Sequence, residues 1–571
     1  MGSLPQKLYN TMKKFRLLLT VLTLIFTLSI GVACGGDSGT GDGGGDNPPT
    51  GPVITNVEGT KGLAYEIETP KKGSPYAICT GIGTATDTDI VIASHYEGYV
   101  VEQVKANAFK NNTQIKSVTF VNGMEKLNMY CFQGCTSLFS VTICETINNI
   151  GQNAFFKCEN LLNICNDSAL DIKMGTTQYG YIGNYACNVY SSSGGGKGEF
   201  KTEGDFEYFT FPNNKFAMKY LGSETAVEIP AGVTGLYKDL FKGNQTLKEV
   251  FVSSSVVSIG KMAFSDCTSL EKVTIAENSS LREVGELAFS NCEGLKEYNY
   301  NSSLKDYFKV QYAGDTSNPL YYAKDIKIQG QSHYELEIPR SVKEVNAHAF
   351  VNYVGLTKLL ITPNLEVIGT GAFARCTKLK HLWFVDMPNA TLKHIKENAF
   401  DGCLSIESLE FPKSLEIIDV KAFNECKGLL TLTFENDNNL KEIRQRAFWH
   451  CDKLISTFLG HNSSIEEIGE EAFRYCGKMT TFNMGNNCKI KKLARFSLSE
   501  CRVLKEIYLP STCTVLGDYV FSGCFYGANR ETADYCVIYA DFDIKPLTWH
   551  TNFNSSNCPV VYNTPYPTIP V

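Results

Sequence analysis

A five-residue element, Ala-Phe-x-x-Cys or a near variant of it, recurs along this chain of 571 residues. Within each run of copies the spacing is 23, 25 or, once, 27 residues. A chain that repeats with this period folds as a stack of similar units, each of which buries its apolar face only against its neighbours. The 14 copies have their aromatic position at Phe109, Phe132, Phe155, Phe241, Phe264, Phe289, Phe350, Phe373, Phe400, Phe423, Phe448, Phe473, Leu498 and Phe521.

Other apolar positions recur at fixed distances from this element. An aliphatic residue, such as Ile259 or Ile368, lies five residues before the aromatic position, and Gly often follows it. Six residues after the aromatic position begins a Leu-x-x-apolar-x-apolar stretch, for example Leu429-Leu432-Phe434. The end of this stretch alternates as a strand with one buried face does, and it is too short for a helix. Each repeat is therefore predicted to contain a short strand, a turn, a second extended piece and a tight turn at the motif.

The cysteine of the motif is present in 11 copies. A metal site needs several converging ligands, whereas this pattern supplies one sulfur per layer, and parallel side chains suit disulfides poorly. We therefore interpret these cysteines as small buried hydrophobic residues at one turn of each coil. Asn112, Asn244 and Tyr353 replace the cysteine in the first copy of each run, where a stack needs a cap. Representative buried residues of the ladder are Phe264, Cys267, Phe373, Cys376, Phe423, Cys426, Phe473 and Cys476.

The N-terminus has the features of an export signal. Basic residues Lys13 and Arg16 precede an uncharged, mostly apolar run from Leu17 to Ala33, and small residues end it. This order is typical of a signal peptide. Because the run is 17 residues long, at the short limit for crossing a bilayer, an uncleaved membrane anchor is the alternative.

The residues Gly31-Val32-Ala33-Cys34 resemble a bacterial lipobox, with Gly31 where Leu is usual. The resemblance implies cleavage before Cys34 and acylation of that cysteine. Gly35 to Gly51 is rich in Gly and has no apolar residue to bury, so we expect a flexible tether between the lipid and the body.

The spacing Ile-Gly-x-x-Ala-Phe-x-x-Cys-x-x-Leu resembles the BspA-like leucine-rich repeat, also called the Treponema pallidum type, over about residues 62–560. The resemblance implies a β-rich solenoid, a right-handed coil of about 14 repeats of 23–27 residues. It also implies a surface or secreted protein that binds host proteins or other cells.

The pattern predicts a mature body interrupted at two places. The predicted segments are a signal peptide at 1–33, a lipidated cysteine and tether at 34–52, lead-in strands with a first repeat block at 53–165, an insertion at 166–205, a second block at 206–300, a third lead-in segment at 301–345, the main block at 346–524 and a C-terminal cap at 525–571.

Composition and motifs argue against nucleic acid as a partner and against catalysis. The net charge of −7 is spread along the chain, and no basic stripe is present for phosphate contacts. The 8 histidines are scattered, and no Ser/His/Asp or Cys/His arrangement stands out. We predict no enzyme activity, no cofactor and no metal.

Three aromatic residues lie where the strand pattern expects polar ones, ten residues after the motif position: Trp383, Phe458 and Tyr508. Exposed aromatics are common in binding hot spots, and local packing is the alternative explanation. Cys536 and Cys558 in the tail are candidates for a disulfide, and Cys488 and Cys513 are a weaker pair.

The sequence favours an outer-membrane or cell-surface lipoprotein that contacts the membrane only through its lipid. Its predicted partner is a protein on a host or neighbouring cell, bound as an adhesin binds. The alternative is a glycan-binding lipoprotein that serves nutrient capture.

Overall fold

The computed structural model describes residues 54–526 and 534–565. The predicted signal peptide, Cys34 and the tether lie outside the described residues. The described residues divide into two compact units, one that ends at Glu199 and includes Phe211–Asn213, and one that contains Phe200–Thr210 and the residues from Asn214 onward.

Each repeat forms one coil with a strand of three or four residues and a strand of two residues, and each strand pairs in parallel with its counterpart in the next coil. Leu409 pairs with Leu432, for example, and Ile418 with Ile443. The alternation in the sequence explains the pairing, since one side of every strand faces the core and the other faces solvent. The prediction of a leucine-rich β-solenoid is confirmed, and the coil has about 21 turns because strands that lack the motif extend it.

The first unit contains two sheets around its own core. One sheet contains Ala64–Glu68, Tyr76–Gly81, Tyr99–Val104, Lys126–Leu127 and Asn149–Ile150, with His95–Tyr96 paired to the third of these. The other contains Asn188–Tyr190, Asn163–Asn166, Ser140–Ile143, Ser117–Thr119 and Asp89–Val91. A 3₁₀ turn at Tyr179–Tyr181 covers the last motif coil, where the Phe155 N–H donates to the carbonyl of Gly180 at 2.8 Å. Gly180 has φ of 64°, and a Cβ there would lie 2.4 Å from the carbonyl oxygen of Gly151, so this position requires glycine.

The second unit begins with one sheet of short strands and one of longer strands. The first contains Glu199–Glu203, Phe206–Phe211, Asn214–Tyr220, Gly235–Leu236, Ser258–Ile259, Glu283–Val284 and Gln311–Tyr312. The second contains Ala226–Glu228, Glu249–Val252, Lys272–Ile275, Glu297–Tyr300, Ile326–Ile328 and Gln331–Ser332.

The same unit continues with a ten-stranded and an eight-stranded sheet. The ten-stranded sheet contains Glu335–Glu337, Lys358–Ile361, His381–Phe384, Ser408–Phe411, Thr431–Phe434, Ser456–Phe458, Thr481–Asn483, Glu506–Leu509, Val537–Ala540 and Val560–Val561. The eight-stranded sheet contains Glu344–Val345, Val367–Ile368, His394–Ile395, Ile417–Ile418, Glu442–Ile443, Glu467–Ile468, Lys492–Leu493 and Val515–Leu516. A ribbon of Phe525–Tyr526 and Asp534–Tyr535 and the short helical turns Leu304–Tyr307, Asp315–Ser317, Leu320–Ala323 and Met387–Asn389 complete the elements.

The motif turn has the same backbone in every coil. In all 14 copies the residues two before and two after the aromatic position are left-handed, with φ between 54° and 75°. These residues and the aromatic one donate their N–H groups to the next coil. In the coil of Phe400, Asn398 donates to Val420, Phe400 to Ala422 and Gly402 to Asn424, at 3.0, 2.8 and 2.8 Å. The buried turns are therefore joined along the stack by main-chain hydrogen bonds that offset the cost of the left-handed residues.

The motif side chains fill the space inside these turns. Consecutive Phe rings stack nearly parallel, with centroids 4.7–5.4 Å apart. Each motif cysteine lies with its sulfur 3.0–3.5 Å from the carbonyl oxygen of the motif residue one coil earlier. Burial raises the pKa of Cys267 to about 11, so that this thiol stays protonated and can donate. The cysteine is therefore a small hydrophobic residue that also satisfies a buried carbonyl.

The first coils of the runs support this role by contrast, because no motif coil comes before them. In two of them an asparagine replaces the cysteine and turns its side-chain oxygen to its own loop. The oxygen of Asn112 accepts from the N–H groups of Gln114 and Ile115. That of Asn244 accepts from Thr246 and Leu247, at 2.9 Å in both cases.

All 20 cysteines in the described residues are free thiols, so neither predicted disulfide is formed. Cys536 and Cys558 are nevertheless neighbours, and the hydrogen bond between their side chains, together with burial, raises the pKa of Cys536. The sulfur of Cys558 lies 3.2 Å from the carbonyl oxygen of Cys524, the last cysteine of the motif.

The second and third runs of repeats share one core, which extends from Phe206 to Cys558. Between them, residues that lack the motif complete the hydrogen bonds of both runs. Phe289, the last motif residue of the second run, donates its N–H to Thr316 at 3.0 Å. The Asn318 amide and the Tyr307 hydroxyl donate to the carbonyl of Ala349, in the first coil of the third run, at 2.9 and 2.6 Å.

The end of the stack is closed in the same way. Tyr519 and Phe521 of the last motif coil donate their N–H groups to Asn552 and Phe553 at 3.0 and 3.2 Å. Gly523 donates to the Ser556 hydroxyl at 2.8 Å. The tail thus supplies acceptors that a further coil would otherwise supply.

A comparison of Cys426→Ser with Cys426→Ala tests the proposed donor role. Both variants lose the volume of sulfur, but only serine keeps a donor for the carbonyl of Phe400, which the Cys426 sulfur contacts at 3.4 Å. We expect the serine variant to be more stable by about 1 kcal/mol in urea unfolding. An alanine variant at least as stable as the serine variant would mean that only the size of the side chain matters.

Candidate binding surface

The outward face of the ten-stranded sheet presents one column of side chains that runs along the stack. Paired residues in neighbouring strands are Leu360 and Trp383, then Thr433 and Phe458, then Tyr508 and Tyr539. Neighbouring strands in a sheet lie about 4.8 Å apart, so the column is a continuous surface rather than a pocket. The three aromatic residues predicted from the sequence all belong to it.

Trp383 is 61% exposed, although the residues on either side of it in the same strand pack inward. Val385, two residues further along the chain, is exposed as well, at the start of the longest turn between consecutive motif copies within a run. This turn contains the helical segment Met387–Asn389. A large indole that remains in solvent on a strand face is available for contact with a partner.

Phe458 and Tyr508 are half-buried and have ring neighbours of their own. Phe458 meets His461 edge to face at 5.1 Å, and Tyr508 stacks on Tyr539 at 4.6 Å. Trp383 is separated from Phe458 by three strand steps, or about 14 Å. The structure therefore places the three residues on one face without bringing them into contact, and only Trp383 has most of its surface in solvent.

A second feature lies at the start of the strands, and the sequence pattern did not indicate it. Leu430 and Ile455 occupy the position seven residues after the motif aromatic, where the preceding coils of the third run have Thr, Lys and Glu, and both are exposed. With Val503, Thr480 and two lysines they line a shallow groove of about 470 Å³. The sequence could have indicated this groove through the replacement of a polar residue by Leu430 and Ile455 at this position of the repeat.

A polar recess of about 470 Å³ lies where the second run of repeats ends. Its lining includes Glu277, Asn278, Asn301, Asp306 and Gln329. Hydrogen bonds from Lys309 and Ser303 lower the pKa of Asp306 to about 2, so that this carboxylate is charged at neutral pH. The recess therefore offers amide and carboxylate groups to a polar ligand.

Within residues 54–526 and 534–565, no group of three or more His, Cys, Asp or Glu side chains is placed to hold a metal ion. His394, which the sequence places three residues before Glu397, lies 3.3 Å from Asp419 in a neighbouring coil. In the same part of the chain, no helix has the length and apolar character needed to cross a membrane.

Comparison with known proteins gives one family. The sequence profile of the BspA type Leucine rich repeat region matches residues 98–179, 196–317, 329–392 and 393–526, which together are more than half of the chain. No curated protein matches the chain.

Several solved structures are similar to it at low identity. A leucine rich cell surface protein from Faecalibacterium prausnitzii is 21% identical over 64% of this chain and 95% of its own, with a TM-score of 0.36. A leucine-rich repeat protein from Bacteroides ovatus is 16% identical over 81% of this chain and 95% of its own, with a TM-score of 0.32. One from Eubacterium ventriosum is 16% identical over 57% of this chain and 94% of its own, with a TM-score of 0.38. Likenesses at this level say nothing about a ligand.

The exposure of Trp383 can be tested by acrylamide quenching, because the chain has only 3 Trp residues. Trp549 is buried and Trp449 is half-buried. We expect Trp383→Phe to remove most of the quenchable emission, whereas Trp549→Phe should raise the quenchable fraction. Equal quenching of the Trp383→Phe variant and the wild type would show that this indole is not in solvent.

Proposed function

This chain belongs to the family of BspA-type leucine-rich repeat proteins, and we propose on that premise that it is a surface lipoprotein that binds proteins of host or neighbouring cells. The outward face of the ten-stranded sheet is the proposed contact surface. Binding rather than catalysis is the proposed activity, because a regular stack of coils supplies a long surface and the family is built from such stacks.

The observation that carries the proposal is the exposure of Trp383. Its indole is 61% exposed on a sheet face whose neighbouring positions, Leu360 and Glu410, are an apolar and an acidic side chain. Truncation of a tryptophan at the centre of an interface typically costs more affinity than truncation of any smaller residue. Phe458 and Tyr508 extend the same column and would contribute to a partner that covers several coils.

Attachment to the cell is proposed to depend on Cys34 alone. Acylation there, followed by the Gly-rich tether, would hold the repeats away from the outer membrane while the lipid provides the only contact with it. A lipoprotein anchor of this kind fits a binding surface that must reach another cell.

A second candidate function is glycan binding for nutrient capture, and the polar recess favours it. The side-chain amides of Asn278, Asn301 and Gln329 line the recess and make no hydrogen bond to other described residues. Together with the carboxylates of Glu277 and Asp306, they could bond the hydroxyl groups of a saccharide. This site is distinct from the Trp383 column, so separate variants distinguish the two functions.

Labelling of intact cells tests the anchor. We expect the wild-type protein to be labelled from outside, and Cys34→Ala to be released or kept as an unprocessed precursor. If neither protein can be reached from outside, the chain faces the periplasm and the adhesin proposal is wrong.

The binding face is tested with a panel of purified matrix and cell-surface proteins, alongside a glycan array. We expect Trp383→Ser to weaken binding to the protein ligand about 30-fold, the equivalent of about 2 kcal/mol for a hot spot. Thr433→Ala, two strands away in the same column, is the control and should bind like the wild type. A glycan ligand whose binding is lost in Asn301→Ala and kept in Trp383→Ser would support the second function instead.

A further inference from the structure

The tail carries an apolar loop tip that projects into solvent. Ile544 is 77% exposed and Leu547 is fully exposed, in the segment between the strand Val537–Ala540 and Trp549. The loop is held at its base, because Trp549 is buried and its indole N–H donates to the carbonyl of Cys513 at 3.1 Å. Phe542 packs against Trp549 with ring centroids 5.4 Å apart. Two large aliphatic side chains thus remain in water on a loop whose anchors are well packed.

The charge exposed beside this tip is mainly acidic. Asp543 is exposed and Asp541 is half-buried, and neither carboxylate has an ion-pair or hydrogen-bond partner among the described residues. Lys545 lies between Ile544 and Leu547, but its ammonium is drawn over the ring of Phe553 at 5.2 Å from the centroid. The tip is therefore an apolar knob, and at its N-terminal side are two carboxylates without a partner among the described residues.

The groove lined by Leu430, Ile455 and Val503 is also apolar, but the charge at its border has the opposite sign. Leu430 is 37% and Ile455 is 46% exposed, and the N–H of Ile455 donates to the carbonyl of Leu430 at 2.8 Å, so the two residues lie in adjacent coils. Val503 extends the apolar floor two coils further along. The groove measures about 470 Å³, which is enough for two aliphatic side chains.

Two lysine side chains border this floor. Lys453 and Lys478 line the groove in adjacent coils, and neither has an acidic partner in the described part of the chain. The basic residues on either side are paired, Lys427 with Glu425 and Arg502 with Glu500, both at 3.1 Å. Two acidic residues of this part of the chain are engaged elsewhere, since Asp452 contacts His450 at 2.9 Å and Glu407 pairs with Lys380 at 3.1 Å. The groove is therefore apolar with an unneutralised basic border.

We propose that the knob of one molecule docks into the groove of a second copy of this chain. Ile544 and Leu547 would cover Leu430, Ile455 and Val503, while Asp541 and Asp543 would face Lys453 and Lys478. Association is expected to be favourable, because both apolar surfaces are removed from water and the carboxylates meet the lysine ammonium groups.

The proposed contact joins two different surfaces of the same molecule. A head-to-tail contact of this kind continues from copy to copy as an open chain, or closes as a ring. It makes no use of Trp383, so it can succeed or fail independently of the proposed ligand face. Because the knob is small compared with interfaces that hold stable dimers, we expect association at concentrations on the order of 100 µM and above.

Sedimentation equilibrium of the detergent-solubilised full chain tests this contact. We expect the weight-average mass of the wild type to rise with concentration beyond about twice that of the monomer. Leu547→Ser should remain monomeric, and so should the double variant Lys453→Glu with Lys478→Glu. All three substituted side chains are exposed, so the fold is expected to tolerate the changes, and circular dichroism checks it. Trp383→Ser is the matched control and should associate like the wild type.

Mixing the two defective variants gives the sharper test. Leu547→Ser keeps an intact groove and the double lysine variant keeps an intact knob, so the mixture should form one contact and stop at a dimer. A wild type that stays monomeric at high concentration would overturn the proposal. So would a Leu547→Ser chain that associates as the wild type does, since the apolar tip would then not be the contact.

Discussion

The hydrogen bonding of the motif turn is the constraint on which the rest of the structure depends. Each turn buries backbone groups that no strand ladder can satisfy, and every buried group without a partner would cost free energy. The left-handed residues on either side of the aromatic position direct three N–H groups to the next coil. The remaining carbonyl is met by the cysteine of the following copy, as Cys426 meets Phe400. A phenylalanine stack then fills the interior, so a single turn satisfies packing and polar groups together.

This arrangement works only between neighbours, and so the ends of each run need other solutions. At the junction of the second and third runs, a side-chain amide from Asn318 and a hydroxyl from Tyr307 replace main-chain donors. At the tail, Asn552 and Phe553 provide the acceptors. These segments share no motif with the repeats because a side chain can reach a given carbonyl from many backbone positions. They show that the stack can continue through a segment that lacks the repeat motif, provided that this segment supplies the hydrogen-bond partners.

The repeat leaves the outward positions free, since nothing in the core depends on them. One set carries Trp383 on the sheet face, another carries Leu430 and Ile455 at the strand ends, and the tail carries Leu547. Apolar groups on these positions are not needed for the fold, and each costs solubility if nothing covers it. For this reason we assign Trp383 to contact with a ligand. We assign the groove at Leu430 and Ile455 and the tip at Leu547 to contact with each other.

The sequence by itself determined the period, the inward face of each strand and the repeat family, because a motif of fixed spacing can bury its apolar residues in only one kind of stack. It also placed Trp383 on the outward face, since the alternation along the strand leaves no other side. It did not reveal the donor role of the cysteines, because the carbonyl that each one meets belongs to a residue 26 or more positions earlier. Nor did it show that Leu430, Ile455 and Val503 form one surface with Lys453 and Lys478. Those residues become neighbours only when their coils are stacked in register, and that register is a property of the tertiary structure.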